Sequence, residues 1–345
     1  MPSVAGAQSR ADLQRALEES LAGQPGSPGM AAAVDRGRFH WAGATGVLDR
    51  AGGSPLRPGD GYRIASVTKT FTAAAILRLV EQGKIRLGAS IERYLPRPYI
   101  RILRGDGYST RAITVAMLLR HTAGLFEYGS SPEYGAAVAG DPGHRWSRIE
   151  QVRFAMRHGD PVSRPGRSFH YADTGYILLG QIIESVSGMR QAPAYRALLR
   201  FRRIGLRATY FESLERKPRA AGRQAHQYFG DLDTFGVIDP SHDLYGGGGL
   251  VSTASELNRF FRALFAGRVI GRRLLRVMTA ARPGGYGMGL YRLGGTSAGT
   301  CFGHDGYWGA FTLYCPRRDT AVSVTVNAAP PVPSAPTAYR LLDLT

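Results

Sequence analysis

Ser66-Val67-Thr68-Lys69 lies between Gly61-Tyr-Arg-Ile-Ala65, which reads as extended chain, and Thr70-Phe-Thr-Ala-Ala-Ala-Ile-Leu-Arg-Leu-Val80, which reads as a largely apolar helix. That order puts Ser66 at a helix N-terminus, where backbone N–H groups and the helix dipole favour negative charge. Lys69 follows three residues later on the same helical face, within reach of the Ser66 hydroxyl. The chain has three lysines, Lys69, Lys84 and Lys217, and only Lys69 has a serine three residues before it. A serine hydroxyl is a poor nucleophile at neutral pH and needs a base. An unprotonated lysine can be that base, or a protonated one can stabilise another. On its own, Ser66 also suits a plain helix cap, so the rest of the chain must decide.

At 345 residues, with 43% hydrophobic and 20% charged content, the chain has the composition of a soluble globular protein able to bury a real core. No apolar run reaches the length needed to span a bilayer. The net charge of +18 comes almost entirely from arginine. The arginines are scattered, with local clusters at 196–207 and 216–223, and no helix-turn-helix, zinc-finger or RNA-recognition signature accompanies them. They read as solvated faces, and no specific nucleic-acid partner is expected. The expected partner is a small-molecule or peptide substrate. Neither a cofactor nor a metal is implied by the spacing of cysteine, histidine and acidic residues. Ala5-Gly6-Ala7 before Gln8 resembles the small-residue end of a leader peptide. The expectation is a periplasmic or secreted protein with its leader removed, a cytoplasmic one being the alternative.

Residues 12–21 read as an amphipathic helix, and 30–34 and 38–47 as a hairpin. Residues 85–243 read as helical segments with long loops, the clearest helices being 114–120 and 174–187. A further helix is expected at 255–266. Strands are then expected at 287–293, 300–304, 310–315 and 321–326, with a short helix closing the chain. Strands at both ends around a helical middle give an α/β (α+β) class: one antiparallel sheet built by the two termini, flanked by helices, with an inserted helix-rich region. The expected organisation is one catalytic domain over 8–345, its sheet region 8–84 and 244–345, its insertion 85–243. Cys301 and Cys315 would face each other if the last hairpin centres near Trp308; a disulfide and two buried thiols are both compatible with that.

Two further stretches join Ser66 and Lys69: Tyr171-Ala172-Asp173 before a helix, and His304-Asp305-Gly306 at the end of a late strand. With Leu118-Leu-Arg-His121-Thr-Ala-Gly-Leu125 and Gly248-Gly-Leu-Val-Ser-Thr-Ala254, they stand in the order Ser-x-x-Lys, Tyr-x-Asn, Lys/His-x-Gly. The chain resembles the serine β-lactamase and penicillin-binding-protein superfamily, on the branch of class C β-lactamases, D-alanyl-D-alanine carboxypeptidases, D-aminopeptidases and esterases. The resemblance covers roughly residues 30–327. It implies a β-lactamase/transpeptidase-like fold and a serine hydrolase working through an acyl-enzyme on an amide or ester. In that scheme Ser66 is the nucleophile, Lys69 keeps the proton relay poised, and Tyr171 is general base and later acid. His304 hydrogen-bonds toward Tyr171, and the backbone N–H groups of Ser66 and Tyr307 form the oxyanion hole.

Two departures from the pattern bear on substrate. Asp173 replaces the asparagine, which favours the ammonium form of Lys69 and removes an amide N–H that relatives aim at a substrate carbonyl. Asp305, beside Gly306, stands where carboxylate-binding relatives have a hydroxyl, and His304 stands in place of lysine. Asp173, Asp305 and Gly306 are thus the expected substrate-facing positions. They favour a neutral ester or amide, or a substrate with a free ammonium, over a β-lactam. The expected substrate is a D-amino-acid-containing peptide or amide, with carboxylester hydrolysis, acyl transfer, weak β-lactamase activity and a non-catalytic relative as alternatives. Gly295-Thr-Ser297-Ala-Gly299 matches the Gly-x-Ser-x-Gly elbow of α/β-hydrolases, but that elbow needs a strand before and a helix after. Here it reads as a surface loop. Gly246 to Gly249 read as a tight backbone approach, since no Lys-Ser/Thr follows to make a phosphate loop.

Overall fold

Strands from the two ends of the chain meet in one antiparallel sheet. The structure, a computed structural model, describes residues 4–24, 26–281, 284–328 and 334–345. β1 (Gly29–Arg36) and β2 (Phe39–Gly46) form the first hairpin. β3 (Tyr291–Thr296), β4 (Gly299–Gly306), β5 (Ala310–Cys315) and β6 (Thr320–Val326) form a meander. The sheet order is β2-β1-β6-β5-β4-β3, so the first and last strands of the chain, β1 and β6, lie side by side at its centre.

β6 is buried at every residue because helices cover both faces. On one side Val322, Val324 and Val326 pack with Met30, Ala32 and Val34 against Leu13 and Leu17 of α1 (Val4–Ala22) and Leu341 of the helix Ser334–Asp343. On the other, the alternate residues face the helix Ala254–Phe265, where Ser323 Oγ lies 2.7 Å from Asn258 Oδ1. This two-residue alternation is what a strand between two layers requires.

The larger core lies on the helical side. α2 (Thr68–Glu81) is buried over most of its length, and Phe71 stacks on Phe260 with ring centroids 3.6 Å apart. Around it pack α3 (Asp173–Ser187) and the helices Arg97–Gly105, Arg148–His158 and Gln191–Leu198. The clearest expected helices are present. The one at 114–120 is Val115–Leu119, with the Thr114 hydroxyl capping its N-terminus.

A small sheet that the sequence did not announce sets the site. The strand Tyr62–Arg63, leading into Ser66, pairs with Leu250–Ser252, which follows the tetraglycine, and Tyr210–Phe211 completes it. The strand expected at 287–293 begins later, at Tyr291. Residues 287–290 instead turn tightly against α2, where Gly289 has φ +73° and its carbonyl accepts from Thr70 Oγ1 at 2.6 Å. Cys301 and Cys315 stand opposite across β4 and β5 and are joined by a disulfide, Cα–Cα 4.2 Å. Ser297 sits in the turn between β3 and β4, where strand rather than helix follows, and its hydroxyl bonds Asp343 Oδ1 at 2.5 Å. The α/β-hydrolase elbow is therefore excluded.

Candidate active site

Ser66 lies in a single 3₁₀ turn, Ala65–Val67, just before α2. Ala65 holds φ +43°, a left-handed conformation that costs a non-glycine residue energy and is held here by burial of its side chain. One helical turn on, Lys69 is fully buried, and its Nζ donates to Ser66 Oγ at 2.7 Å and to the Gly247 carbonyl at 2.9 Å. Its third partner is an ion pair with Asp173 Oδ1. The tetraglycine thus places a backbone acceptor on the lysine. Gly246, at φ +114°, lies so close to α3 that a Cβ there would fall 2.6 Å from the Tyr176 carbonyl.

Tyr171 joins this group from the chain just before α3. Lys69 Nζ stands 5.0 Å from the centre of its ring, and His121 stacks on the ring at 4.2 Å. Burial, then the Asp173 charge, push the Tyr171 phenol well above its ordinary range, with the Ser66 hydroxyl bonded to it and pulling the other way. The resting Tyr171 is therefore a phenol. That suits the acid half of the expected role and runs against the base half. His121 has φ +55°, its Nδ1 accepts from the Ala172 N–H at 3.0 Å, and burial drives it well below the ordinary histidine range.

The third expected stretch comes in from β4. His304 is buried, its Nδ1 donates to the Asp305 carbonyl at 2.6 Å, and its Nε2 meets the Tyr286 hydroxyl at 3.0 Å. The expected hydrogen bond to Tyr171 is replaced by this one, the Tyr171 and His304 rings lying 6.3 Å apart with Tyr286 beside both. Asp305 Oδ1 lies 3.4 Å from His304 Nδ1, and the rest of its side chain is exposed. Burial of its environment pushes the carboxyl up, but His304 and Lys69 outweigh that and hold it below the ordinary range. Gly306 is where β4 touches the turn carrying Ser66, since a Cβ on it would fall 2.2 Å from the Ile64 carbonyl. This contact brings the half-exposed Tyr307 toward the turn that carries Ser66.

Two acidic residues that the sequence reading did not single out complete the surroundings. Glu127 Oε2 accepts the Asp173 backbone N–H, and burial followed by the Asp173 charge pushes the Glu127 carboxyl up to about 8. Asp243, beside Gly248, is pushed up to about 6 by burial and then by Asp173. A cavity of about 620 Å³ opens beside this group, lined by Glu127 and Tyr171 with Phe126, Pro132 and Val162. Glu127 lies two residues beyond the Leu118–Leu125 block, the one signal that could have found it; Asp243 and Tyr286 carried none. Among the described residues no cluster of histidine, cysteine or acidic groups has the arrangement of a metal site.

The sequence model of the Beta-lactamase family matches residues 14–345. The chain belongs to the Beta-lactamase family. It is similar to a D-stereospecific amidohydrolase from Streptomyces sp., with 30% identity, a TM-score of 0.78, and coverage of 93% of this chain and 94% of that one. It is 26% identical to penicillin-binding protein 4* of Bacillus subtilis (strain 168) over 72% of this chain and 54% of that protein. It is 32% identical to esterase EstB of Burkholderia gladioli over 50% of this chain and 44% of that one. The chain spans about half the length of these two curated relatives. The fold is that of the family's serine hydrolases, and the family's three motifs converge on one cleft.

Proposed function

We propose that the protein is a serine hydrolase that cleaves an amide or ester through an acyl-enzyme on Ser66, with D-amino-acid amides or peptides bearing a free ammonium as its substrate class. The observation that carries the reading is the contact of Ser66 Oγ with Lys69 Nζ at 2.7 Å, in a cleft whose carboxyl groups are Asp173, Glu127, Asp243 and Asp305, Glu127 being the one held protonated. Such a cleft repels a substrate carboxylate and attracts a cation. No arginine is among the groups acting on Asp305; the cations there are His304 and Lys69. Likeness to the Streptomyces amidohydrolase over nearly the whole chain supports the same class.

In this scheme Ser66 attacks the carbonyl carbon, and the oxyanion is received by the N–H groups of Ser66 and Tyr307, each such donor contributing about 3 kcal/mol. Tyr171, as a phenol, gives its proton to the leaving amine. His304, fixed by Tyr286 and the Asp305 carbonyl, keeps the end of β4 in place. The disulfide suits an oxidising compartment, in line with an exported protein; fractionating cells that carry the gene tests this. Similarity to EstB keeps ester hydrolysis as the second reading.

The test is a panel of D- and L-amino-acid anilides, their N-acetylated forms, p-nitrophenyl esters and nitrocefin. Free D-amino-acid anilides should turn over fastest, and N-acetylation should slow them. Faster turnover of nitrocefin or of the N-acetylated compounds would reject the ammonium-bearing class. Ser66→Ala should abolish labelling by a fluorophosphonate, and labelling that persists would remove Ser66 as nucleophile.

A further inference from the structure

We infer that the cavity between Phe126, Pro132, Val162 and Tyr171 is a subsite for a large, uncharged, apolar group of the substrate, an aryl group in the simplest case, with Val162 as a wall that sets its size. The inference rests on the serine-hydrolase reading above, since the occupant belongs to a molecule whose carbonyl is at Ser66. Tyr171 joins the two places: it lines the cavity, and its hydroxyl is bonded to that of Ser66. At about 620 Å³ the cavity falls in the range of sites that enclose a small ligand, roughly 300–1,000 Å³. Val162 is left 43% exposed at its wall, apolar surface that an occupant would take out of water.

The apolar walls come from three separate segments, each fixed through its main chain. The Phe126 N–H donates to the Tyr108 hydroxyl at 3.2 Å, and the Phe126 carbonyl accepts from Thr174 Oγ1 at 2.6 Å. The Phe126 ring lies against Gly159, where a Cβ would fall 2.1 Å from it, so a side chain at 159 would displace the ring. Pro132 opens the helix Pro132–Gly140, whose Tyr134 N–H donates to Ser131 Oγ at 3.2 Å. The Val162 N–H donates to the Gly124 carbonyl at 3.0 Å. Gly124, at φ +74°, packs so closely on this loop that a Cβ there would fall 2.0 Å from the Ser163 carbonyl. Walls held in this way need no ordering when a ligand arrives, and such preorganisation favours binding.

The chemistry of the lining selects the occupant. Most of it is apolar, and His158, stacked on Phe154 at 4.1 Å, extends the aromatic surface. Glu127, pushed up to about 8, keeps its proton at neutral pH and adds no charge. Glu133 stands at the exposed rim, in the first turn of its helix. Among the described residues no arginine or lysine lines the cavity. An anion moved inside would lose its water with no cation to meet it. The ammonium of the proposed substrate class finds its carboxylates in the cleft, at Asp173, Asp243 and Asp305, which leaves the cavity to the apolar part of the same molecule.

Two substrate series test this and identify which end of the substrate enters. Methylamides of D-alanine, D-phenylalanine and D-tryptophan vary the acyl side. The methylamide and 2-phenylethylamide of D-alanine vary the leaving amine at nearly constant basicity. In at least one series kcat/KM should rise about 10–100-fold with the aryl group, the selection that burying an aromatic side chain supports. Val162→Trp, which fills the cavity from its wall, and Val162→Asp, which sets a carboxylate there, should each remove most of that selection through KM. D-alanine methylamide should stay within about twofold of its wild-type rate in both variants. No size selection in either series overturns the inference, as does a selection that survives both variants or a loss shared equally by small and large substrates. If a fluorophosphonate labels Ser66 but no amide turns over, the labelling rates of ethyl and phenylbutyl fluorophosphonates are compared in the same variants and judged in the same way. Wild-type protein that is never labelled would instead remove the serine-hydrolase reading.

Discussion

Three constraints meet at Ser66 and would make it reactive in the proposed mechanism. The strained Ala65 turns the serine out of the strand Tyr62–Arg63, the first turn of α2 offers it N–H groups, and Lys69 lies against its oxygen. Tyr171 is held on the far side by His121 stacked on its ring. Because the buried Tyr171 is a phenol, its part in the proposed mechanism is to give a proton. Tyr171→Phe should therefore lower kcat by about 10²–10⁴-fold, the usual range for a positioned acid or base. Steady-state kinetics on an amide and on an ester with a good leaving group would check this. The amide should suffer far more, since its amine needs the proton. Equal losses on both would assign Tyr171 to serine activation instead.

At the scale of elements, β4 and β5 carry His304 and Tyr307 to the cleft, and the Cys301–Cys315 disulfide locks their register at the far end of the hairpin. The cross-link closes a loop of sequence separation 14. Cys301→Ser with Cys315→Ser should cost about 3 kcal/mol, the chain-entropy expectation for a loop of this length. Urea denaturation of the double variant against the oxidised wild type measures it, and an unchanged midpoint would mean the sheet holds the register unaided. The strands and long helices were legible because their periods are strong: β1, β5 and β6, and the helices at 68–81 and 173–187, lie within a residue or two of expectation, apart from the longer reach of β1. The two- and three-residue strands of the small sheet were not, since their pairing is fixed only by tertiary contact. Ser66, Lys69, Tyr171 and Asp173 were found because motif spacing marks them. Glu127, Asp243 and Tyr286 act through loops folded back on the cleft, which no local pattern records. The switch of the His304 bond from Tyr171 to Tyr286 has the same origin.

For the whole molecule, the buried ionisable groups of the cleft set the dependence of stability on pH. Burial lowers His242 to about 4 and holds His121 well below the ordinary histidine range. Below pH 6.5 the unfolded chain takes up protons at these histidines that the folded one refuses, so they remove stability as pH falls. Asp243 and Glu127 act in the opposite sense, because the folded state binds their protons more tightly, up to about 6 and about 8 respectively. Above about pH 7 the histidines are largely neutral in both states and Asp243 is largely ionised in both. Glu127 alone then keeps a proton on folding that the unfolded chain releases, and stability falls as pH rises through this window. The net charge of +18 is carried by arginines that do not titrate there, so it leaves the trend untouched. The urea midpoint of the wild type should peak near pH 6.5 and drop toward pH 8.5 by on the order of 1 kcal/mol. Glu127→Gln, which has no proton to keep, should flatten the curve over that range. A wild-type midpoint as high at pH 8.5 as at 6.5 would show that Glu127 is ionised in the folded cleft.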